Sequence, residues 1–184
     1  MQVQDKMNAY LEELKSLHIP RYNELPEIEL YMDQLIEYLN GKFAPFQIEA
    51  KDTITAAMVN NYVKSKIIPP TVKKRYSKNH VAYLIVICVF KQIYPISKIM
   101  EMIQIQKKIF DYQTAYDYFC VELENALISA FSMSGNLSVD TSHSKIEERL
   151  FVRASVNSFA QRLLVEKYLQ FKLEAMAEEA EKAE

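Results

Sequence analysis

Glycine is almost absent from this chain, and its scarcity constrains the fold more than any other feature of the sequence. The 184 residues include two glycines, Gly41 and Gly135. Sheet proteins need glycine at many of their turns, and nucleotide-binding folds need it in the loops that cradle phosphates. A chain of this length forms one domain or two small ones and buries well over half of its unfolded surface. We therefore expect a mainly helical fold with a sizeable core.

Prolines and apolar spacing divide the chain into helices. The adjacent Pro69 and Pro70 must end the helix before them, because the residue before a proline is pushed to an extended conformation. Thr53 or Thr55 is a candidate N-cap for that helix, and Ser77 for the next one. The apolar period predicts helices over residues 4–17, 27–40, 54–65, 78–93, 96–103, 107–133 and 143–178, with a loop over residues 43–52.

Charge is distributed unevenly along the sequence. Between Asp52 and Glu101 there are eight Lys and Arg and no carboxylate, whereas the rest of the chain holds 14 basic and all 24 acidic residues. Lys and Arg that displace counterions supply much of a protein's affinity for a duplex, and an ordinary solvated face interleaves both signs. The pattern therefore favours a nucleic-acid-binding surface over a solvated face. The eight cations are Lys64, Lys66, Lys73, Lys74, Arg75, Lys78, Lys91 and Lys98.

The residues around this segment resemble the MerR-type winged helix. A helix ending near Tyr62 leads through two isoleucines and two prolines, residues 67–70, to a basic stretch that closes on Arg-Tyr at 75–76. The order is also similar to that of a bacterial family described only as a domain of unknown function. In that family, as here, LYMDQ (residues 30–34) precedes an NNYVK-type helix and a KRYS-type wing. The resemblance covers roughly residues 27–103.

This resemblance implies a fold, a function and a set of contact residues. The fold would be mainly α, with a MerR-like winged helix-turn-helix and a short two-stranded wing in a domain over residues 1–105. A helical dimerisation or effector region would follow over residues 106–184. The function would be sequence-specific binding of double-stranded DNA in transcription regulation. The contact candidates come from the polar face of the second helix of this motif and from the cation cluster. They are Thr55, Asn60, Asn61, Lys64, Lys66, Lys73, Lys74, Arg75, Tyr76 and Lys78.

Several of these assignments have plainer alternatives. Asn60 would make a bidentate contact with adenine in a major groove, or would be ordinary helix surface. The ring of Tyr76 would more often pack under a wing than stack on a base. We expect His80 to face solvent or phosphate at the start of its helix. Lys66 stands at a position where the resembling family has glycine. The whole basic surface would alternatively dock an acidic protein partner, or belong to a ligand-binding domain without DNA affinity.

The C-terminal half raises the question of partners. Tyr112, Tyr116 and Phe119 form a stripe that is typical of core packing, with an effector pocket for an unknown small molecule near Tyr112 and Tyr116, or a dimer seam, as alternatives. By the MerR resemblance we expect a homodimer through the C-terminal helices. The last helix is apolar on more than one face, through Ile146, Leu150, Phe159, Leu163, Leu164, Tyr168 and Phe171.

Motifs for catalysis and cofactors are missing from the sequence. The three histidines are isolated, and no His or Cys pair has the spacing of a metal site. We therefore expect no enzyme activity, cofactor or metal. Cys88 and Cys120 lie in apolar surroundings, which indicates buried free thiols in a reducing, cytoplasmic compartment. The longest apolar run, residues 81–90, is half as long as a membrane span, and the N-terminus has no signal-peptide pattern.

Overall fold

The computed structural model describes residues 3–46, 54–132 and 147–183, and this part of the chain is predominantly helical. It contains seven α-helices and two short 3-10 helices, at Tyr22–Glu24 and Ala44–Phe46. The mainly α fold expected from the scarcity of glycine is confirmed. The α-helices are α1 (Val3–Ser16), α2 (Met32–Phe43), α3 (Ala56–Lys64), α4 (Lys78–Phe90), α5 (Ile96–Ile109), α6 (Tyr112–Phe131) and α7 (Glu147–Ala183).

The predicted two-stranded wing is not supported. The described residues contain two isolated antiparallel bridges, Leu30 with Tyr76 and Val72 with Arg75, and no strand. A two-residue turn separates Val72 from Arg75, and Ser77 begins the capping of α4 directly after Tyr76. The segment is therefore too short for a ladder, and a tight turn stands where two strands were expected.

The chain divides into two compact units. Unit 1 consists of Met1–His18 and Glu122–Glu184, and unit 2 consists of Ile19–Val121. The sequence-based boundary near residue 105 falls inside unit 2, in the last turns of α5. The assignment of separate functions to residues 1–105 and 106–184 stays a prediction.

Unit 2 is built around α4, which is apolar around its whole circumference. Ten of its 13 residues are buried, because the helix contacts α2 and α5 and also packs against α6. The ring of Phe90 meets that of Phe119 edge-on, with centroids 5.4 Å apart. The two cysteines are buried and are not disulfide-bonded, and burial raises the pKa of the Cys88 thiol to about 12. The apolar run that suggested a core helix thus forms one.

Unit 1 joins α1, the C-terminal part of α6 and α7. Tyr10 of α1 lies edge-on to Phe131 of α6 and to Phe171 of α7, with ring centroids 5.0 Å and 6.4 Å away. On α7 the fully buried Val156 and Phe159 continue this core. Aromatic packing among three helices therefore holds unit 1 together.

Two predicted helix ends were wrong for reasons visible in the structure. Helix α2 begins at Met32 rather than at residue 27, because Leu30 is extended and pairs with the backbone of Tyr76. It continues past residue 40 to Phe43, because the side chain of Asn40 bonds to the backbone of Ile54 instead of ending the helix. The predicted loop over residues 43–52 is a 3-10 turn at its start, and its remainder lies outside the described residues.

The C-terminal helices also differ from the prediction at their ends. Helix α5 runs to residue 109 rather than 103, and α6 begins at residue 112 rather than 107. Phe110 is extended between them, and Asp111 accepts a hydrogen bond from the N–H of Thr114 at 2.9 Å, which caps α6. None of the helices in the described ranges combines the length and the apolar character that a bilayer crossing requires.

Candidate nucleic-acid interface

Helix α3 presents a polar face to solvent. The hydroxyl of Thr55 caps the helix by accepting a hydrogen bond from the N–H of Met58 at 3.4 Å, as the N-cap prediction required. The helix buries Val59, while Asn60, Asn61 and Lys64 are exposed. We call these three exposed residues the polar face of α3. A short helix that buries Val59 on one side therefore offers two amides and one ammonium on the other.

The C-terminus of α3 is closed by a lysine in a conformation that normally requires glycine. Lys66 has φ 57° and follows Ser65, the C-cap. The N–H of Lys66 donates to Val63 O at 3.0 Å, and the N–H of Ile67 donates to Tyr62 O at 2.8 Å. These two bonds form a Schellman cap, whose left-handed residue is usually glycine. A side chain with a Cβ costs roughly 1–2 kcal/mol there.

Two more lysines form the tip of a tight basic turn over residues 72–75. The N–H of Arg75 donates to Val72 O at 2.9 Å and closes the turn. Lys73 and Lys74 have φ 50° and 58°. Positive φ at both central residues is the pattern of a type I′ turn, which favours Asn-Gly. We refer to residues 72–75 as the basic turn.

Buried contacts hold the base of this turn. Leu30 and Tyr76 exchange two backbone hydrogen bonds of 2.9 Å each. Tyr76 is 4% exposed, and its ring lies edge-on to that of His80. The Tyr76 side chain therefore packs beneath the turn, which was the plainer of its two interpretations. Since the backbone N–H and C=O of Tyr76 are already bonded to Leu30, neither its ring nor its backbone is open as the predicted contact.

His80 fastens the start of α4 to the chain that leaves α3. Its Nδ1 accepts a hydrogen bond from the N–H of Ser77 at 3.0 Å, so the proton resides on Nε2. That Nε2–H donates to Pro69 O at 3.1 Å. His80 is 7% exposed, and the expectation that it faces solvent or phosphate is wrong. The buried imidazole instead links the start of α4 to the backbone of Pro69.

Arg75 is positioned by a tyrosine that the sequence did not single out. Its Nη2 donates to the hydroxyl of Tyr31 at 3.1 Å, and its guanidinium lies 5.2 Å from the centre of that ring. Tyr31 precedes α2 and comes next to Leu30, so the Leu30–Tyr76 pairing brings it opposite Arg75. No local pattern reveals this contact. Only its place within LYMDQ, part of the stated resemblance, pointed toward Tyr31.

The predicted cations fall into two groups. The first group is exposed and makes no ion pair with a carboxylate in the described part of the chain. Its side chains are therefore open to an external anion. The group comprises Lys64, Lys66, Lys73, Lys74 and Arg75.

The second group already has contacts within unit 2. Lys78 lies 3.9 Å from the carboxylate of Glu27 and 5.4 Å from the ring of Tyr22. Lys98 pairs with Glu101 at 2.8 Å. Lys91 is half-buried, and burial lowers its pKa. Of these, only Lys78 was a contact candidate, and its ammonium is partly engaged.

The predicted effector region has one open and one closed tyrosine. Tyr116 is buried and donates its hydroxyl to Pro20 O at 2.9 Å, so it is a core residue. Tyr112 is 39% exposed. The hydroxyl of Tyr83 and then the ammonium of Lys107 lower its pKa. The core interpretation therefore describes Tyr116, and only Tyr112 is open to a ligand.

A second exposed surface lies on α7, in unit 1. The side of this helix opposite its buried face carries large apolar residues, in agreement with the excess predicted from the sequence. Ile146, which was predicted to belong to the same helix, lies outside the described residues. The exposed apolar residues are Leu150, Val165, Tyr168, Leu169, Leu173 and Met176.

Comparisons with known proteins identify unit 2 as a family domain. The family model "Domain of unknown function (DUF1836)" matches residues 20–119. A search of the curated proteins and a search of the solved structures gave no match. The matched residues nearly coincide with Ile19–Val121, so the polar face of α3 and the basic turn both lie inside the family domain. The chain therefore belongs to the DUF1836 family, whose model covers more than half of its length.

Proposed function

We propose that this protein is a cytoplasmic, sequence-specific DNA-binding regulator of transcription with a MerR-like winged-helix arrangement. The observation that carries the proposal is the group of five exposed cations, Lys64 to Arg75, which follow one another along α3, its cap and the basic turn. Exposed cations without carboxylate partners are what counterion release from a duplex requires. The proposal therefore rests on the positive charge of these five residues and on their succession along α3, its cap and the basic turn.

The order of elements supports the winged-helix comparison. An extended residue, Leu30, precedes α2; α3 follows, and the basic turn then returns the chain to Leu30 through the bridge with Tyr76. A winged helix likewise sends a short hairpin back beside the strand that precedes its first helix. The turn would take the place of the wing.

The two surfaces would have different tasks on DNA. Asn60 and Asn61 would enter the major groove with the polar face of α3, where an amide can bond bidentately to adenine. Lys64, Lys66 and the basic turn would contact phosphates, which fix register without reading sequence. Arg75 would approach the backbone already oriented by Tyr31.

The exposed apolar stripe of α7 supports a homodimer through the C-terminal helices. At 100° per residue, positions 147, 150, 165, 169 and 172 share one side of the helix. If two copies of α7 pair antiparallel, Leu169 falls opposite Leu150 of the second copy, and Lys172 falls opposite its Glu147. Apolar and charged contacts would each occur twice, as two-fold symmetry requires. An effector near Tyr112 would act on this dimer.

The experiment is a titration of labelled duplex DNA at increasing salt, followed by selection from a random DNA pool. Five phosphate contacts predict a slope of log K against log salt near −4.5 per protomer. On the selected site, Asn60→Ala should lose about 1–3 kcal/mol of discrimination while random DNA binding changes little. Lys74→Ala should weaken both DNAs alike.

Three results would contradict the proposal. Absent or salt-insensitive duplex binding, together with capture of an acidic protein, would favour the protein-docking alternative. Equal losses on selected and random DNA from Asn60→Ala would remove α3 from base reading. A monomer in light scattering at micromolar concentration would remove the α7 dimer.

A further inference from the structure

Three lysines share a backbone conformation that side chains rarely adopt. Lys66, Lys73 and Lys74 have positive φ, and no other non-glycine residue of the described ranges does. All three lie in the basic stretch between α3 and α4, one at the cap of α3 and two at the tip of the basic turn.

Local structure gives no reason for lysine at these positions. Glycine is free of the Cβ penalty in the left-handed region, and Asn or Asp offset it by bonding to their own backbone. Lysine has a Cβ, and its ammonium lies too far from its own backbone to offset the penalty with such a hydrogen bond. The backbone geometry of the cap and the turn would be kept, with less strain, by glycine.

Contacts within the protein do not explain these lysines either. Each is exposed, and none forms an ion pair with a carboxylate of the described residues. The only property that lysine adds at these positions is a positive charge carried into solvent. Strain that the fold does not require is often stored at functional sites.

We infer that Lys66, Lys73 and Lys74 bind phosphates from strained backbone positions, so that their charge is held in place at a cost in stability. The inference rests on the proposed function and narrows it, because it separates these lysines from Lys78 and Lys98, which pair internally. Their ligand is the phosphodiester backbone, bound without base recognition. The backbone of the α3 cap and of the basic turn fixes the direction in which each lysine side chain leaves the chain.

The test compares glycine and alanine variants of the full chain. Alanine and glycine remove the same charge, but only glycine relieves the left-handed strain. At each of the three positions, the glycine variant should melt roughly 2–4 °C above the alanine variant. Both variants should bind a fluorescein-labelled random-sequence DNA duplex with equal losses of about 3- to 10-fold and a salt slope shallower by about one.

Lys64 supplies the matched control, because it is an exposed cation of the same group with helical backbone. Lys64→Ala should weaken duplex binding in a similar way. Lys64→Gly, however, should melt below Lys64→Ala, since glycine is unfavourable in a helix. The opposite order of the two variants at helical and left-handed positions is the signature of the inference.

The outcomes separate this inference from the proposed function. Equal melting temperatures for the glycine and alanine variants at the three positions would contradict the claim that these positions store backbone strain. Full duplex affinity in all three alanine variants, with a wild type that binds, would overturn the phosphate assignment and leave the proposed function standing. A wild type that binds no duplex would overturn both.

Discussion

The two compact units use their charged side chains in opposite ways. In unit 1, Lys6 bonds to Glu174 at 2.8 Å, Arg153 lies 3.1 Å from the carboxylate of Glu122, and Arg162 pairs with Glu166. In unit 2, the five cations from the polar face of α3 to the basic turn are exposed and have no carboxylate partner in the described residues. These three cations of unit 1 are paired inside the protein, whereas the five of unit 2 are presented to solvent.

This difference indicates which charges serve the fold. A cation that is paired inside the protein contributes to stability or to helix register, and its removal should change folding before it changes binding. A cation that is unpaired and even strained, such as Lys73, contributes nothing to the fold that an uncharged residue could not. Its removal should change binding first.

Charge reversal should give the largest effect and the clearest separation. Lys73 and Lys74 changed together to Glu should weaken duplex binding roughly 100-fold at low salt, because two phosphate contacts become two repulsions. Lys15 and Arg162 of unit 1, changed together to Glu, alter the net charge equally. This control should bind DNA nearly as well as the wild type in the same fluorescence titration. Equal losses in both variants would mean that net charge alone governs binding.

The buried pair of unit 1 should give the opposite pattern. Glu122 is fully buried and Arg153 is 19% exposed, with Nε and Oε2 3.1 Å apart. Arg153→Met should lower the unfolding free energy by about 2–3 kcal/mol, less than for a fully buried pair because the guanidinium partly reaches solvent. Urea unfolding measures the loss, and the duplex affinity of the folded protein should stay unchanged.

A double variant distinguishes charge from packing at this site. Glu122→Gln combined with Arg153→Met removes the buried carboxylate together with the guanidinium beside it. The double variant should recover part of the stability that Arg153→Met loses. No recovery would mean that Arg153 stabilises unit 1 mainly through its aliphatic stem.

Sequence patterns predicted what depends on nearby residues. Helix α4 was predictable because its apolar run is continuous and Ser77 stands at its N-cap position. Thr55 was predictable as a cap because a threonine directly precedes the helical pattern of α3. Asn40 and Gly41 misled, because they resemble a helix stop while the amide of Asn40 bonds to Ile54. The tertiary hydrogen bond of Asn40 therefore outweighs the local signal for the end of a helix.

The parts of the candidate site that were missed depend on distant pairing. Tyr31 and Arg75 are 44 residues apart, and they meet only because Leu30 bonds to Tyr76. The left-handed backbone of Lys73 and Lys74 carries no sequence signal, since neither glycine nor asparagine marks those positions, whereas the glycine of the resembling family pointed to Lys66. Charge counting found the cations, but only the backbone geometry distinguishes the strained ones from the rest.

The smallest effect belongs to the half-buried ion pair between Lys6 and Glu174 of unit 1, and its pH dependence makes it testable. Lys6 lowers the pKa of Glu174 below its ordinary value of 4.5 by hydrogen bonding, and Glu174 raises the pKa of Lys6 above 10.5. The carboxylate contribution is present above pH 4.5 and is lost as pH falls through the lowered pKa. The ammonium contribution is present below pH 10.5 and is lost as pH rises through the raised pKa.

The pair should therefore stabilise unit 1 fully only between those two pH values. Lys6→Met should lower the melting temperature by about 1–2 °C at neutral pH, because solvent still reaches the Glu174 carboxylate and screens the pair. The difference from wild type should shrink as the pH falls below 4.5, and it should also shrink in high salt. Duplex binding should be unaffected throughout. A loss of duplex affinity in Lys6→Met would show that unit 1 also presents cations to DNA, and the contrast between the two units would then fail.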